Sequence, residues 1–76
     1  MSITVKYFAV LREETGKSQD IIQYQQGMTV SDVWKTTMDK DMPTDVKVAV
    51  NMEYTRHDAS LKDGDELAFF PSVTGG

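Results

Sequence analysis

The chain reads as an α+β domain in which a mixed β-sheet packs on one main helix, and three observations lead there. Apolar residues alternate at Ile3, Val5 and Tyr7, at Val46, Val48 and Val50, and at Leu67 and Phe69, the period of strands with one buried face. Between the first and second of these runs, Val30, Val33, Trp34, Thr37 and Met38 recur at i, i+3, i+4, i+7 and i+8, the stripe of an amphipathic helix. The length, 76 residues, leaves room for a single core of modest stability.

Taken in order, Ile3, Val5 and Tyr7 alternate with Thr4, Lys6 and Phe8 in a first strand. Residues 9–15 have helical propensity and stop at Gly16, a residue suited to a helix C-terminus. Residues 19–25, carrying Ile21, Ile22 and Tyr24, read as a second strand that Gln26-Gly27 breaks. Thr29 is a good N-cap for the main helix, and Asp32 sits where the acidic partner of a capping box belongs. Trp34 is expected to anchor helix to sheet. Residues 39–45, interrupted by Pro43, form a loop. The third strand ends at Asn51, and residues 52–54 turn and open a short fourth strand. Residues 59–62 are expected to form one helical turn. Asp63-Gly64-Asp65 signals a turn, and Glu66–Phe70 is the final strand. Two hairpin-like strand pairs flanking one helix suggest the β-grasp arrangement, in which the first and last strands lie side by side and parallel. The expected division is a β-grasp domain over residues 1–70 and a flexible arm over residues 71–76.

Composition excludes several functions. With 39% hydrophobic residues the chain is an ordinary globular sequence. It has no cysteine, which removes disulfides, thiolate catalysis, iron–sulfur clusters and cysteine-based zinc sites and is compatible with a cytoplasmic protein. A net charge of -4, with no basic run, argues against nucleic acid as a partner. Mild acidity keeps a small protein soluble, and would also suit a partner with a positively charged site. The first residues lack the basic stretch and apolar core of a signal peptide, and no apolar run could span a bilayer.

The last ten residues, Leu67-Ala68-Phe69-Phe70-Pro71-Ser72-Val73-Thr74-Gly75-Gly76, carry no charged side chain. Pro71 and Gly75 oppose regular structure, so the final six residues are expected to project as an arm. At about 3.3 Å per residue that arm reaches roughly 20 Å, enough to enter another protein's active site. A terminal carboxylate is ionised near neutrality. It can attack the α-phosphate of ATP to give an acyl-adenylate, which a sulfur nucleophile can displace. Glycine suits a narrow channel because it has no Cβ to clash.

The stretch from Asp63-Gly64-Asp65-Glu66 through Gly75-Gly76 closely resembles the C-terminus of the molybdopterin synthase small (sulfur-carrier) subunit family, whose fold is the ubiquitin-like β-grasp. Val5-Lys6-Tyr7-Phe8-Ala9-Val10-Leu11-Arg12-Glu13 is similar to that family's opening strand and following helix. The likeness spans the whole chain, and the tail is its most specific part. One departure is Ser72, where the family commonly has a second proline; it bears on the stiffness of the arm and not on its chemistry. The resemblance implies that Gly76 is adenylated by an enzyme related to the ubiquitin-activating enzymes, using ATP and magnesium, and then converted to a thiocarboxylate (a 1-thioglycine) by a sulfur donor. Pro71, Ser72, Val73, Thr74 and Gly75 would thread into the large subunit of molybdopterin synthase, which would receive the sulfur for cyclic pyranopterin monophosphate. The implied assembly has two small and two large subunits. The carrier would bind no cofactor itself, and catalytic side chains would belong to its partners.

The pleat bears on docking independently. With Ile3, Val5 and Tyr7 inward, Phe8 points to the opposite face, and with Leu67 and Phe69 inward, Phe70 does the same. The two rings would make an exposed apolar patch beside the tail, unless a strand-end bulge turns either ring inward. Tyr54 matches an apolar interface position of the family and would extend the patch. Arg12 corresponds to a family arginine and either pairs with a partner carboxylate or is a solvated helix charge. His57, near Asp58 and Ser60, does not make a catalytic triad, since sequence neighbours rarely have triad geometry. Asp39, Asp41 and Asp45 lack the glycine and terminal glutamate of a calcium loop and read as solvated acids. Rival functions sharing the fold are a carrier for thiazole formation in thiamine synthesis, a protein-conjugating modifier, and a β-grasp binding module without terminal chemistry. Phe69-Phe70-Pro71 and the Arg12-Glu13 helix favour the molybdenum branch.

Overall fold

The computed structural model describes residues 1–71. Their elements run β1 (Ser2–Tyr7), α1 (Val10–Thr15), β2 (Gln19–Gln23), α2 (Val30–Met38), β3 (Lys47–Val50), β4 (Glu53–Thr55) and β5 (Glu66–Phe70). The sheet has five strands in the order β2-β1-β5-β3-β4. β1 and β5 pair in parallel at its centre, with Val5 opposite Leu67 and Tyr7 opposite Phe69. The remaining pairs are antiparallel. This is the β-grasp arrangement expected from the element order.

Alternation decides which face is buried. Ile3, Val5 and Tyr7 of β1, together with Leu67 and Phe69 of β5, are almost wholly enclosed. Val30, Val33 and Trp34 of α2 join them in one core. Trp34 meets Phe69 edge-on, ring centroids 5.0 Å apart, the arrangement that aromatic quadrupoles favour. The Trp34 indole N–H is buried with no acceptor among the described residues, a polar group whose desolvation costs about 1–3 kcal/mol.

The helix starts where its sequence says it should. The Thr29 hydroxyl accepts from the Asp32 N–H at 3.3 Å, while the Asp32 carboxylate accepts from the Thr29 N–H at 2.9 Å. That reciprocal box satisfies donors that have no partner within the helix. Two further N–H groups of its first turn are met by a crossing segment: Val30 donates to the Ala59 carbonyl and Ser31 to the His57 carbonyl. α1 ends at Gly16 with φ 75°, the left-handed cap that glycine adopts without a Cβ penalty.

Residues 59–62 do not form the expected helical turn. They are extended, with Ser60 bridged to Thr29 and the Leu61 N–H bonded to the Met28 carbonyl at 2.9 Å. Burial of Leu61 and hydrogen bonds to the segment leading into α2 outweigh a local helical preference too short to nucleate alone. β2 is also shorter than expected, because Tyr24 and Gln25 lie beyond its pairing with β1. The His57 ring is structural: its Nε2 lies 2.6 Å from the Val46 carbonyl oxygen, tying the crossing segment to the entry of β3. Among the described residues, no group of His, Cys, Asp or Glu is placed to hold a metal ion, and no helix is long and apolar enough to cross a membrane.

Candidate docking site on the outer face of the sheet

The face of the sheet opposite α2 carries the residues left over by the alternation. Their positions follow from register. Lys6 lies opposite Ala68, Ala68 opposite Ala49, and Ala49 opposite Tyr54, so one row crosses β1, β5, β3 and β4 with two alanines at its centre. At the end of β1, Phe8 lies against Phe70 with ring centroids 4.8 Å apart and planes only 11° apart. Tyr54 meets Phe70 from the other side at 6.0 Å and 61°. Three aromatics, one just past β1 and the others on β4 and β5, therefore form one cluster, with Phe70 in the middle.

No strand-end bulge turns either phenylalanine inward. Phe8 is 40% exposed and Tyr54 73% exposed, while Phe70 is half-buried by its two aromatic neighbours. The chain leaves Phe8 through Ala9, at φ 53°, a conformation a residue with a Cβ adopts only at a cost. Between the aromatics and the tip of the β3–β4 hairpin lies a groove of about 510 Å³, with Ala49 and Ala68 beneath it and Met52 at its rim. Lys6 and Glu66 also line it, and they pair with each other at 3.4 Å. Both are half-exposed, so the pair adds little to stability and chiefly supplies a neutral polar edge.

Arg12 lies on the far side of Phe8 from Tyr54, lining a shallow depression of about 270 Å³ with Phe8 and Ala9. It is exposed and forms no ion pair with another described residue. The structure thus brings Phe8, Tyr54 and Phe70 into direct contact and sets Arg12 beside them with its charge unspent. Pro71 follows immediately, half-buried at the edge of the patch. Ser72, Val73, Thr74, Gly75 and Gly76, the expected arm and its reactive terminus, lie outside the described residues. Sequence reasoning missed Met52 and the two-alanine floor. Asn51 between two strand runs was the available signal for the hairpin, and cross-strand register was needed for the floor.

A family model described as the ThiS family matches residues 5–76. The chain belongs to the ThiS family. A curated relative within reach of this ThiS-family chain is the molybdopterin synthase sulfur carrier subunit of Chlamydomonas reinhardtii, 36% identical over 84 residues and covering 100% of both chains. Among solved structures, the putative molybdopterin converting factor, subunit 1, from Pyrococcus furiosus aligns with a TM-score of 0.79 at 30% identity, covering 96% of this chain and 99% of that one. Small archaeal modifier protein 1 of H. volcanii aligns with a TM-score of 0.83 at 25% identity, covering 95% of this chain and 98% of that one. The fold is the ubiquitin-like β-grasp that these proteins share.

Proposed function

We propose that this ThiS-family protein is the sulfur-carrier subunit of a molybdopterin synthase. The observation that supports this most is the full-length likeness to a protein of that name. On this reading the chain has no catalytic side chain of its own. Its reactive group is the Gly76 carboxylate, which attacks the α-phosphate of ATP bound with magnesium on an adenylating partner, releasing pyrophosphate. A sulfur nucleophile then displaces AMP and leaves a thiocarboxylate. The large subunit of the synthase takes residues 71–76 into its active site and passes the sulfur to cyclic pyranopterin monophosphate. A dithiolene needs two sulfurs, hence two charged carriers per product, in keeping with an assembly of two small and two large subunits. All of this takes place in the cytoplasm.

The aromatic patch supports the docking half of the reading. Aromatic area left partly exposed beside Pro71 does nothing for the core, whereas desolvated aromatics are the residues that dominate interface energies. Phe8, Tyr54 and Phe70 supply the apolar contact, and Arg12 supplies a charge for a partner carboxylate at its rim.

The test is the intact mass of the chain after incubation with the adenylating enzyme, ATP and a sulfur donor. An increase corresponding to exchange of one oxygen for sulfur at Gly76 is expected, and a mass that never changes sinks the carrier reading. Mixing the thiocarboxylate with the large subunit and the pterin precursor should then yield dithiolene; charging without dithiolene would favour a thiazole-forming carrier. The likeness to an archaeal modifier protein supports a second reading, in which the same terminus forms isopeptide bonds. That reading predicts covalent adducts on lysines of other proteins, where the first predicts none.

A further inference from the structure

β2 ends the sheet: β1 pairs with it on one side, and no strand among the described residues pairs with the other. The bonds at its two ends show which groups that open side presents. The Tyr7 N–H donates to the Ser18 carbonyl and the Tyr24 N–H to the Met1 carbonyl. Between them Asp20 faces Val5 and Ile22 faces Ile3. Bonded and non-bonded pairs alternate along an antiparallel ladder, so Ser18, Asp20, Ile22 and Tyr24 turn their backbone groups to β1. Gln19, Ile21 and Gln23 turn theirs away from the sheet.

A row of free backbone groups is normally blunted by lysine, proline, a bulge or a very short strand. β4, the opposite edge, has only three residues. β2 has five, with no lysine, proline or glycine among them, and Ile21 at its middle is 61% exposed. Its single charge, Asp20, is matched by Lys17 at 3.0 Å, so the edge is locally neutral and brings no net charge to a second copy of itself.

We propose that two copies of this chain pair along their β2 strands, antiparallel, about a two-fold axis through Ile21. With Ile21 against Ile21, Gln19 stands against Gln23 at both ends, and each of these pairs exchanges both backbone bonds. Asp20 then lies opposite Ile22 of the other copy. Shifted by one bonded pair toward the N-terminus, Asp20 would face Asp20, like charges directly opposed. Gln23 would also need Lys17, whose N–H and C=O are both bonded to the Thr15 hydroxyl. Shifted the other way, Gln19 would need Gln25, whose carbonyl is engaged by the Met28 N–H. One strand pair buries less than the roughly 1,200 Å² of a stable interface, so the association is weak and grows with concentration. It lies across β1 from the strands that carry Phe70 and Tyr54 and leaves both uncovered.

Sedimentation equilibrium of the full chain tests this between about 10 µM and about 1 mM, where a contact of this size populates a dimer. The average mass should climb from that of one chain toward that of two. Ile21→Lys sets two ammonium groups against each other at the axis and should weaken the association about tenfold or more, with an unchanged far-UV spectrum. Because the chain has no cysteine, a single introduced thiol reports the register. Bonded antiparallel pairs hold their Cα atoms about 5.5 Å apart, within disulfide reach, so Ile21→Cys should cross-link under copper–phenanthroline oxidation. Gln23→Cys sets its two thiols roughly 14 Å apart along the strands and should not. A mass that stays monomeric at the highest concentration overturns the proposal, as does an Ile21→Lys variant that associates like the parent. Cross-linking of Gln23→Cys as fast as Ile21→Cys would overturn it too. Association that survives Ile21→Lys and disappears in Phe70→Ala would put the contact on the aromatic face and end the proposal in the same way.

Discussion

The two faces of the central strands are built from neighbouring residues and do opposite work. On β5, Phe69 points to α2 and is wholly enclosed, while Phe70, one residue on, lies outward between Phe8 and Tyr54. On β1, Tyr7 is buried and Phe8 is not. Composition cannot distinguish the two phenylalanines of β5; only the pleat does. The inner ring is held by a full shell of neighbours, whereas the outer ring has aromatic partners on two sides and open space on the third. The first arrangement stabilises a fold, and the second keeps apolar surface available for something else.

The most forceful way to break the comparison is to truncate both rings. Phe69→Ala removes a ring packed on Trp34 in the core of this small domain, and should cost about 3–5 kcal/mol. That is a large share of the stability of a chain of this size, so chemical denaturation should show a strongly lowered midpoint. Phe70→Ala should cost far less in the same assay while weakening the complex with the synthase large subunit by about 2 kcal/mol, the loss of a central aromatic anchor. Equal losses of folding and binding for Phe70→Ala would place Phe70 in the core and end the distinction between the faces.

That distinction is legible in the sequence, and the reason is physical. A period of two assigns residues to faces regardless of where the strands go, so Phe8 and Phe70 could be placed out of phase with Tyr7 and Phe69 by counting. Thr29 and Asp32 gave the start of α2 because a capping box is a local interaction over three residues. Register was not legible. That Ala49 faces Ala68, and Ala68 faces Lys6, depends on pairing between segments far apart in the chain, and the groove exists only once those pairs are made. Residues 59–62 misled for the same reason, since their backbone partners, Met28, Thr29 and Val30, lie about thirty positions earlier. Met52 was placed in the turn before β4, but its strain is visible only in φ.

A gentler way to sharpen the comparison weakens the inner layer without touching the outer one. Thr29→Ala removes the hydroxyl that accepts from Asp32 and should destabilise the domain by about 1 kcal/mol, read as a lower denaturation midpoint. α2 lies against the inner face, so affinity for the large subunit, measured where the variant remains folded, should not change. A parallel loss of affinity would mean the two faces are coupled.

The smallest effect concerns a buried inner-face residue with a polar end. Tyr7 has its ring in the core and its hydroxyl 3.4 Å from the Asp20 carboxylate, with Lys17 paired to the same carboxylate at 3.0 Å. Burial first, and then the negative charge of Asp20, raise the phenol pKa above its ordinary 10.0. The folded chain therefore keeps a proton that the unfolded chain releases. Stability from this source is complete below about pH 10 and is lost as the pH climbs above 10 through the folded value. Lys17, raised by its bond to Asp20, acts in the same direction, although its exposure to solvent leaves it a minor contributor. Denaturation midpoints between pH 8 and about pH 11 should decline at the alkaline end, and Tyr7→Phe should flatten the decline without abolishing it. An unchanged slope in that variant would mean that the phenol is as free to ionise in the folded chain as in the unfolded one, and that the inner face tolerates a charge at its rim.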